Sequence, residues 1–258
     1  MRACLAVLLL FCLTVEAQEI VSIPTRSGVT QSFFIAGMGG RKPDAVALLY
    51  VGGGGIIRLR MENGRPKFGA NNFLPRVRSE FIRNGVLPVI MDAPSDQPGG
   101  LTDYYRVSDQ QSIDARAVLA ELKKRFPQLP VYLVGTSRGT VTAAYVGRAL
   151  SGEVAGVVLT SSLFTPPRGA TLADFDYASI KAPLLFVHHR EDGCDSTPYA
   201  EAQRLSARYP LISVRGGKTP ESGPCDPYAP HGYYGKEAET VDAIAAWMLK
   251  KPYRRKIE

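Results

Sequence analysis

A chain of 258 residues, 45% hydrophobic and 21% charged, is long enough to bury one large core, and no linker, repeat or low-complexity tract divides it. Its 31 basic and 24 acidic residues leave a formal charge of +7, but no nucleic-acid-binding motif accompanies that charge, so nucleic acid is not an expected partner. Part of the excess is the run 250–256, read as a solvated basic end, and no run beyond the amino terminus reaches the roughly 18 apolar residues of a membrane-spanning helix.

In chain order, Arg2 precedes an apolar run over 3–15, broken only by Thr14, and then come Glu16, Ala17 and Gln18. A basic residue, a short apolar core and a small residue at the exit form a secretory signal over 1–17, leaving 18–258 as the mature, exported chain, periplasmic or secreted. Cys12 is a poor lipid-anchor site because Phe11 stands where a small residue is wanted. Residues 20–24 and 31–37 read as an opening antiparallel pair. After them, 46–51, 86–91, 131–134, 154–160, 184–187 and 211–214 are short apolar runs bounded by glycine, proline or polar residues, as buried parallel strands should be. Helical patterns fill the intervals at 73–83, 107–126, 138–150, 198–209 and 235–249. In the second of these, Ile113, Ala117, Val118, Ala120, Leu122 and Phe126 make an apolar stripe, with Arg116, Glu121, Lys123 and Lys124 largely opposite. Strands alternating with helices imply a mostly parallel central sheet flanked by helices, in a single domain. Residues 161–183, with Phe164, Pro166, Pro167, Phe175 and Tyr177, are long enough for one flap or short helix over a site but too short for a lid domain.

The most informative stretch is Gly135-Thr136-Ser137-Arg138-Gly139, which joins an apolar run to a helical pattern. It matches G-x-S-x-G, in which a serine is forced onto a sharp strand-to-helix turn and the flanking glycines avoid collision with neighbouring elements. An activated serine needs a histidine base and a carboxylate to orient that base. The chain has 3 histidines. His188 and His189 are neighbours on a strand and point to opposite faces, so both cannot enter one site. His231 stands alone in a loop, and the turn Arg190-Glu191-Asp192-Gly193-Cys194-Asp195 supplies carboxylates.

With a serine, then an acid, then a histidine in that order, the chain resembles the α/β-hydrolases over nearly its whole mature length, in particular esterases and dienelactone-hydrolase-like members without a large lid. The resemblance implies Ser137 as nucleophile, His231 as base and Asp192 as the orienting acid. Asp195 is the competing acid, Glu191 a weaker one, and His189 replaces a glycine of the family's turn. It also implies an oxyanion hole built from the Arg138 N–H and one N–H from the glycine run 52–55, either Gly53 or Gly54, although Val51 stands where many lipases and esterases have histidine. The run lacks the continuation of a phosphate-binding loop. Tyr104, Tyr105, Tyr233 and Tyr234 are candidates to line the cleft.

Removal of 1–17 leaves Cys194 and Cys225, an even pair in an oxidising compartment. They are expected to form a disulfide beside the acid turn and the histidine loop, with two free thiols or a metal site with His188 as the alternatives. No zinc-ligand spacing is present, so no metal and no cofactor is expected. The expected activity is cleavage of an ester-type acyl bond in a small-molecule substrate through an acyl-enzyme. A peptidase or amidase on the same triad is one alternative. A non-catalytic binding protein and a metal-dependent hydrolase using His188, His189 and Asp195 are the others.

Overall fold

The computed structural model describes residues 18–165 and 169–258, so the secretory signal expected at 1–17, and Pro166 and Pro167 of the expected flap, lie outside the described residues. In chain order the elements are β1 (Glu19–Arg26), β2 (Val29–Ile35), β3 (Ala45–Tyr50), β4 (Arg60–Glu62), β5 (Arg65–Lys67), α1 (Phe73–Arg76), α2 (Arg78–Arg83), β6 (Val86–Met91), α3 (Asp103–Val107) and α4 (Asp109–Arg125). They continue with β7 (Val131–Ser137), α5 (Arg138–Ala149), β8 (Gly156–Ser162), β9 (Leu184–His189), α6 (Tyr199–Leu205), β10 (Leu211–Val214), α7 (Glu237–Met248) and β11 (Lys256–Ile257). Nine strands form one sheet in the order β1-β2-β6-β3-β7-β8-β9-β10-β11, and β4 and β5 make a separate hairpin. The pairs β1/β2 and β2/β6 are antiparallel, and every other neighbour in the sheet is parallel.

Continuous apolar runs form these strands because both faces of the sheet are covered. In β3 all six residues are buried. Val46, Leu48 and Tyr50 pack into one core layer and Ala45, Ala47 and Leu49 into the other, the two-residue alternation of a pleated strand. The strand expected at 154–160 is displaced towards its carboxyl end, to Gly156–Ser162.

The helices depart from the sequence pattern where a polar side chain overrides it. Ser108 is extended (φ −81°, ψ 159°) and caps α4 by accepting the Gln111 N–H, so the segment expected from 107 divides into α3 and α4. Within α4 the expected stripe is rotated: Ile113 is 44% exposed and Asp114 is wholly buried. The reason is a buried polar knot. Arg26 holds both oxygens of Asp114 at 2.9 Å, and the Tyr105 hydroxyl donates to the same carboxylate. Val77 (φ −94°, ψ 13°) leaves helical geometry and separates α1 from α2 within the helix expected at 73–83.

The basic run 250–256 is exposed apart from the partly buried Tyr253; beyond it Ile257 is buried, and β11 pairs in parallel with β10, Ser213 opposite Lys256 and Val214 opposite Ile257. One further expectation is corrected. The segment after β8 is not a flap over the cleft as far as it is described. Phe164, Leu172, Phe175 and Tyr177 pack into the core layer that contains Phe186, with Tyr145 of α5 against Phe175. No described helix is long and apolar enough to cross a membrane.

Candidate active site

The G-x-S-x-G sequence forms the sharp turn between β7 and α5. Ser137 has φ 52° and ψ −126°, a conformation that costs of order 1–3 kcal/mol for a residue with a side chain. Close backbone approach explains the glycines: a Cβ on Gly135 would lie 2.4 Å from the Gly139 carbonyl oxygen, and one on Gly139 would lie 2.1 Å from the Tyr50 carbonyl oxygen. The register between β7 and β8 slips after Thr136, so the strand bends as it delivers Ser137 to the carboxyl edge of the sheet.

The acid and the histidine meet at the same edge. His231 Nδ1 lies 3.1 Å from Asp192 Oδ2, and the two side chains are 7% and 0% exposed. Asp192 Oδ1 accepts the Cys194 N–H at 3.0 Å, and the Thr197 hydroxyl donates to Oδ2 at 2.8 Å while sitting 3.2 Å from His231 Nδ1. With Oδ2 as an acceptor, the neutral imidazole carries its proton on Nδ1 and leaves Nε2 as the basic nitrogen. Of the competing carboxylates, Asp195 is exposed and Glu191 pairs with Arg215 at 3.2 Å. Neither reaches the imidazole ring.

The His231 loop is clamped from several sides. Ser161 Oγ donates to the His231 carbonyl (2.9 Å), and the Tyr233 hydroxyl both accepts the Ser161 N–H (3.1 Å) and donates to the Val187 carbonyl (2.7 Å). Arg76 donates to the Pro227 and Gly232 carbonyls at 2.8 and 3.0 Å and pairs with Glu237. Cys194 and Cys225 form a disulfide that ties the acid turn to the segment leading into His231. Tyr105 and Tyr233 are therefore buried structural residues, and Tyr104 is 80% exposed; none of the candidate tyrosines lines the cleft.

Ser137 and His231 line one cleft of about 310 Å³, together with Gly52, Gly53 and Gly54. Gly53 has φ +58°, and the Gly55 N–H closes the turn onto the Gly52 carbonyl at 3.1 Å. Arg138 begins α5, where the N–H has no partner inside the helix and the dipole favours negative charge. Its own guanidinium turns away to pair with Asp103. The segment after the glycines is held by Asp92, whose carboxylate accepts the N–H groups of Ile57, Arg58 and Leu59 at 2.7, 3.2 and 2.8 Å.

His188 and His189 face different partners. His188 Nε2 accepts the Ser162 N–H at 2.8 Å, and burial pushes its pKa down to about 3, so it stays neutral. His189 Nε2 meets the Gly216 carbonyl at 2.8 Å. Among the described residues no group of three or more histidine, cysteine, aspartate or glutamate side chains is arranged to hold a metal ion. Sequence reasoning missed Thr197, Asp92, Ser161 and the buried Arg106. Their roles depend on contacts between distant segments, which no local spacing announces.

No protein-family model matches the chain, and no curated protein is similar to it in sequence. Solved structures do share its fold. Est1E from Butyrivibrio proteoclasticus is 13% identical with a TM-score of 0.59, over 90% of this chain and 98% of that one. An alpha-beta serine hydrolase homologue from Coxiella burnetii is 14% identical with a TM-score of 0.57, over 90% and 96%. An α/β serine hydrolase without a lid, from Xanthomonas campestris, is 13% identical with a TM-score of 0.53, over 90% and 94%. Sheet order, elbow and these likenesses agree that the chain has the α/β-hydrolase fold.

Proposed function

We propose that the protein is an exported serine hydrolase that cleaves an ester-type acyl bond in a small molecule. His231 Nε2 takes the proton as Ser137 Oγ attacks the carbonyl carbon, Asp192 orients the imidazole and stabilises its charged form, and backbone N–H groups of Arg138 and the Gly53–Gly54 turn receive the oxyanion. Collapse of the tetrahedral intermediate expels the leaving group with the proton from His231. Water, activated by the same imidazole, then releases the acid and regenerates Ser137.

The observation that carries this reading is the Asp192–His231 contact of 3.1 Å at the edge of a cleft shared with the strained Ser137. The cleft's volume of about 310 Å³ favours short acyl groups over long chains. Export, with removal of 1–17 and an amino terminus at Gln18, is supported by the Cys194–Cys225 disulfide, which belongs to an oxidising compartment. A fluorophosphonate probe labels the purified protein and fails to label S137A. Nitrophenyl esters of rising chain length turn over best at the short end, and aminoacyl amides do not turn over. Absence of labelling would sink the catalytic reading, and faster amide than ester cleavage would transfer the triad to peptidase chemistry.

A further inference from the structure

Arg106, near the end of α3, is 1% exposed, yet its hydrogen bonds all go to uncharged oxygens. Nη2 donates to the Gly53 carbonyl at 2.7 Å, Nη1 to the Arg138 carbonyl at 3.3 Å and to Thr142 Oγ1 at 3.1 Å, and Nε has no partner. A guanidinium buried without a hydrogen-bonded carboxylate is costly, which makes its position informative. Burial and the nearby Arg138 charge bring its pKa down to about 10, so it remains a cation at neutral pH. It bridges the glycine turn and the first residue of α5, the two segments from which the proposed oxyanion donors come.

Resting on the hydrolase reading above, we infer that the donor from the glycine turn is the Gly54 N–H and that Arg106 is a positioning residue that aligns it from behind while bracing the first residue of α5; the plane carrying the Arg138 N–H is held instead by Thr140, whose hydroxyl donates to the Ser137 carbonyl at 2.6 Å. A trans peptide is planar, with its C=O and N–H pointing to opposite sides. The Gly53 carbonyl is drawn towards Arg106, which does not line the cleft, so the N–H of the same plane, that of Gly54, projects the other way, towards the cleft that Gly54 does line. The plane is also fixed by its neighbours, since the Gly54 carbonyl accepts the Leu101 N–H at 2.7 Å and the Gly55 N–H is spent on Gly52. Glycine at residue 55 leaves room for the guanidinium: a Cβ there would lie 2.8 Å from Leu101 Cδ1 and 2.9 Å from Arg106 Nη2. The cation further polarises the Gly53–Gly54 peptide, strengthening its N–H as negative charge develops on the substrate oxygen. Arg106 itself touches no substrate and transfers no proton.

The test uses the full chain and compares wild type, R106M and R106K on a short nitrophenyl ester, with thermal melting of each. Loss of donor alignment predicts that R106M lowers kcat about 100-fold with KM within threefold, equally across pH 6–9, and slows fluorophosphonate labelling in parallel. Lysine keeps the charge but not the fork, so R106K is expected to recover about tenfold of that loss. A kcat in R106M within threefold of wild type, a loss carried by KM, or a shift of the pH profile's basic limb would overturn the inference. If R106M does not melt cooperatively, R106K decides on the same criteria, a wild-type kcat overturning the inference. Failure of both to fold assigns Arg106 a purely architectural role. Wild type that is not labelled at Ser137 defeats the hydrolase reading instead, a result distinct from all of these.

Discussion

Replacing Asp192 by asparagine tests the geometry most sharply, because the two carboxylate oxygens have unequal neighbours. Oδ1 accepts the Cys194 N–H, so the asparagine carbonyl oxygen is held at that position. The new NH₂ group then occupies the place of Oδ2, facing His231 Nδ1 and the Thr197 hydroxyl. Two N–H donors cannot face each other, so the imidazole moves its proton to Nε2, the nitrogen that must be empty to accept from Ser137. The hydroxyl of Thr197 can rotate to accept from the amide, so the fold survives. Wrong tautomer and lost charge together predict a fall in kcat of about 10⁴, or ~5.5 kcal/mol of barrier, with KM nearly unchanged. Steady-state turnover of a nitrophenyl ester, corrected for active sites by fluorophosphonate titration and accompanied by a melting curve, measures it. D195N and E191Q stay within about twofold of wild type. Should D192N keep more than a tenth of wild-type kcat, the assignment of the acid and the tautomer argument both fail.

C225S opens a covalent loop whose ends are 31 residues apart; chain entropy gives ~4 kcal/mol and a fall in melting temperature of about 10 °C, read by calorimetry under non-reducing conditions. G139A places a Cβ 2.1 Å from a backbone oxygen and is expected to lose more than about 3 kcal/mol or fail to fold, whereas G53A, with open space but φ +58°, loses about 1 kcal/mol by urea denaturation. His188 has a folded pKa of about 3 against an ordinary 6.5, so the unfolded chain takes up its proton first as pH falls. Its contribution to stability is complete above pH 6.5 and is lost as pH drops from there towards 3, by up to about 1.4 kcal/mol per unit. Urea midpoints at pH 7.5 and 4.5 therefore differ less in H188Q than in wild type.

Elements whose residues meet the core on both faces were legible in the sequence, since β3, β6, β7 and β9 need only apolar side chains in a short run. So was the elbow, because close approach leaves Gly135 and Gly139 no substitute. Helix faces were less legible: Ile113 reads as part of the buried stripe, but Asp114 takes the buried place because Arg26, 88 residues away, and Tyr105 converge on it. Arg106, Thr197 and Asp92 were invisible for the same reason, each being polar, unremarkable in its local window and defined by what it holds. The carboxylate turn offered three acids within five residues, and only the path of the chain past His231 separates Asp192 from the others.

The two-residue strand β11 covers the open side of β10. The Ser213 N–H goes to the Arg255 carbonyl at 2.9 Å and the Arg215 N–H to the Ile257 carbonyl at 2.8 Å. Without that cover the last central strand would present free donors and acceptors to any other polypeptide, the usual starting point of intermolecular sheet growth. Arg254, Arg255 and Lys256 lead into or form this short strand and are exposed, so another chain approaching the rim meets positive charge. The carboxyl-terminal strand thus shortens the exposed rim from the four residues of β10 to the two of β11, and trimming it would bare the longer ladder.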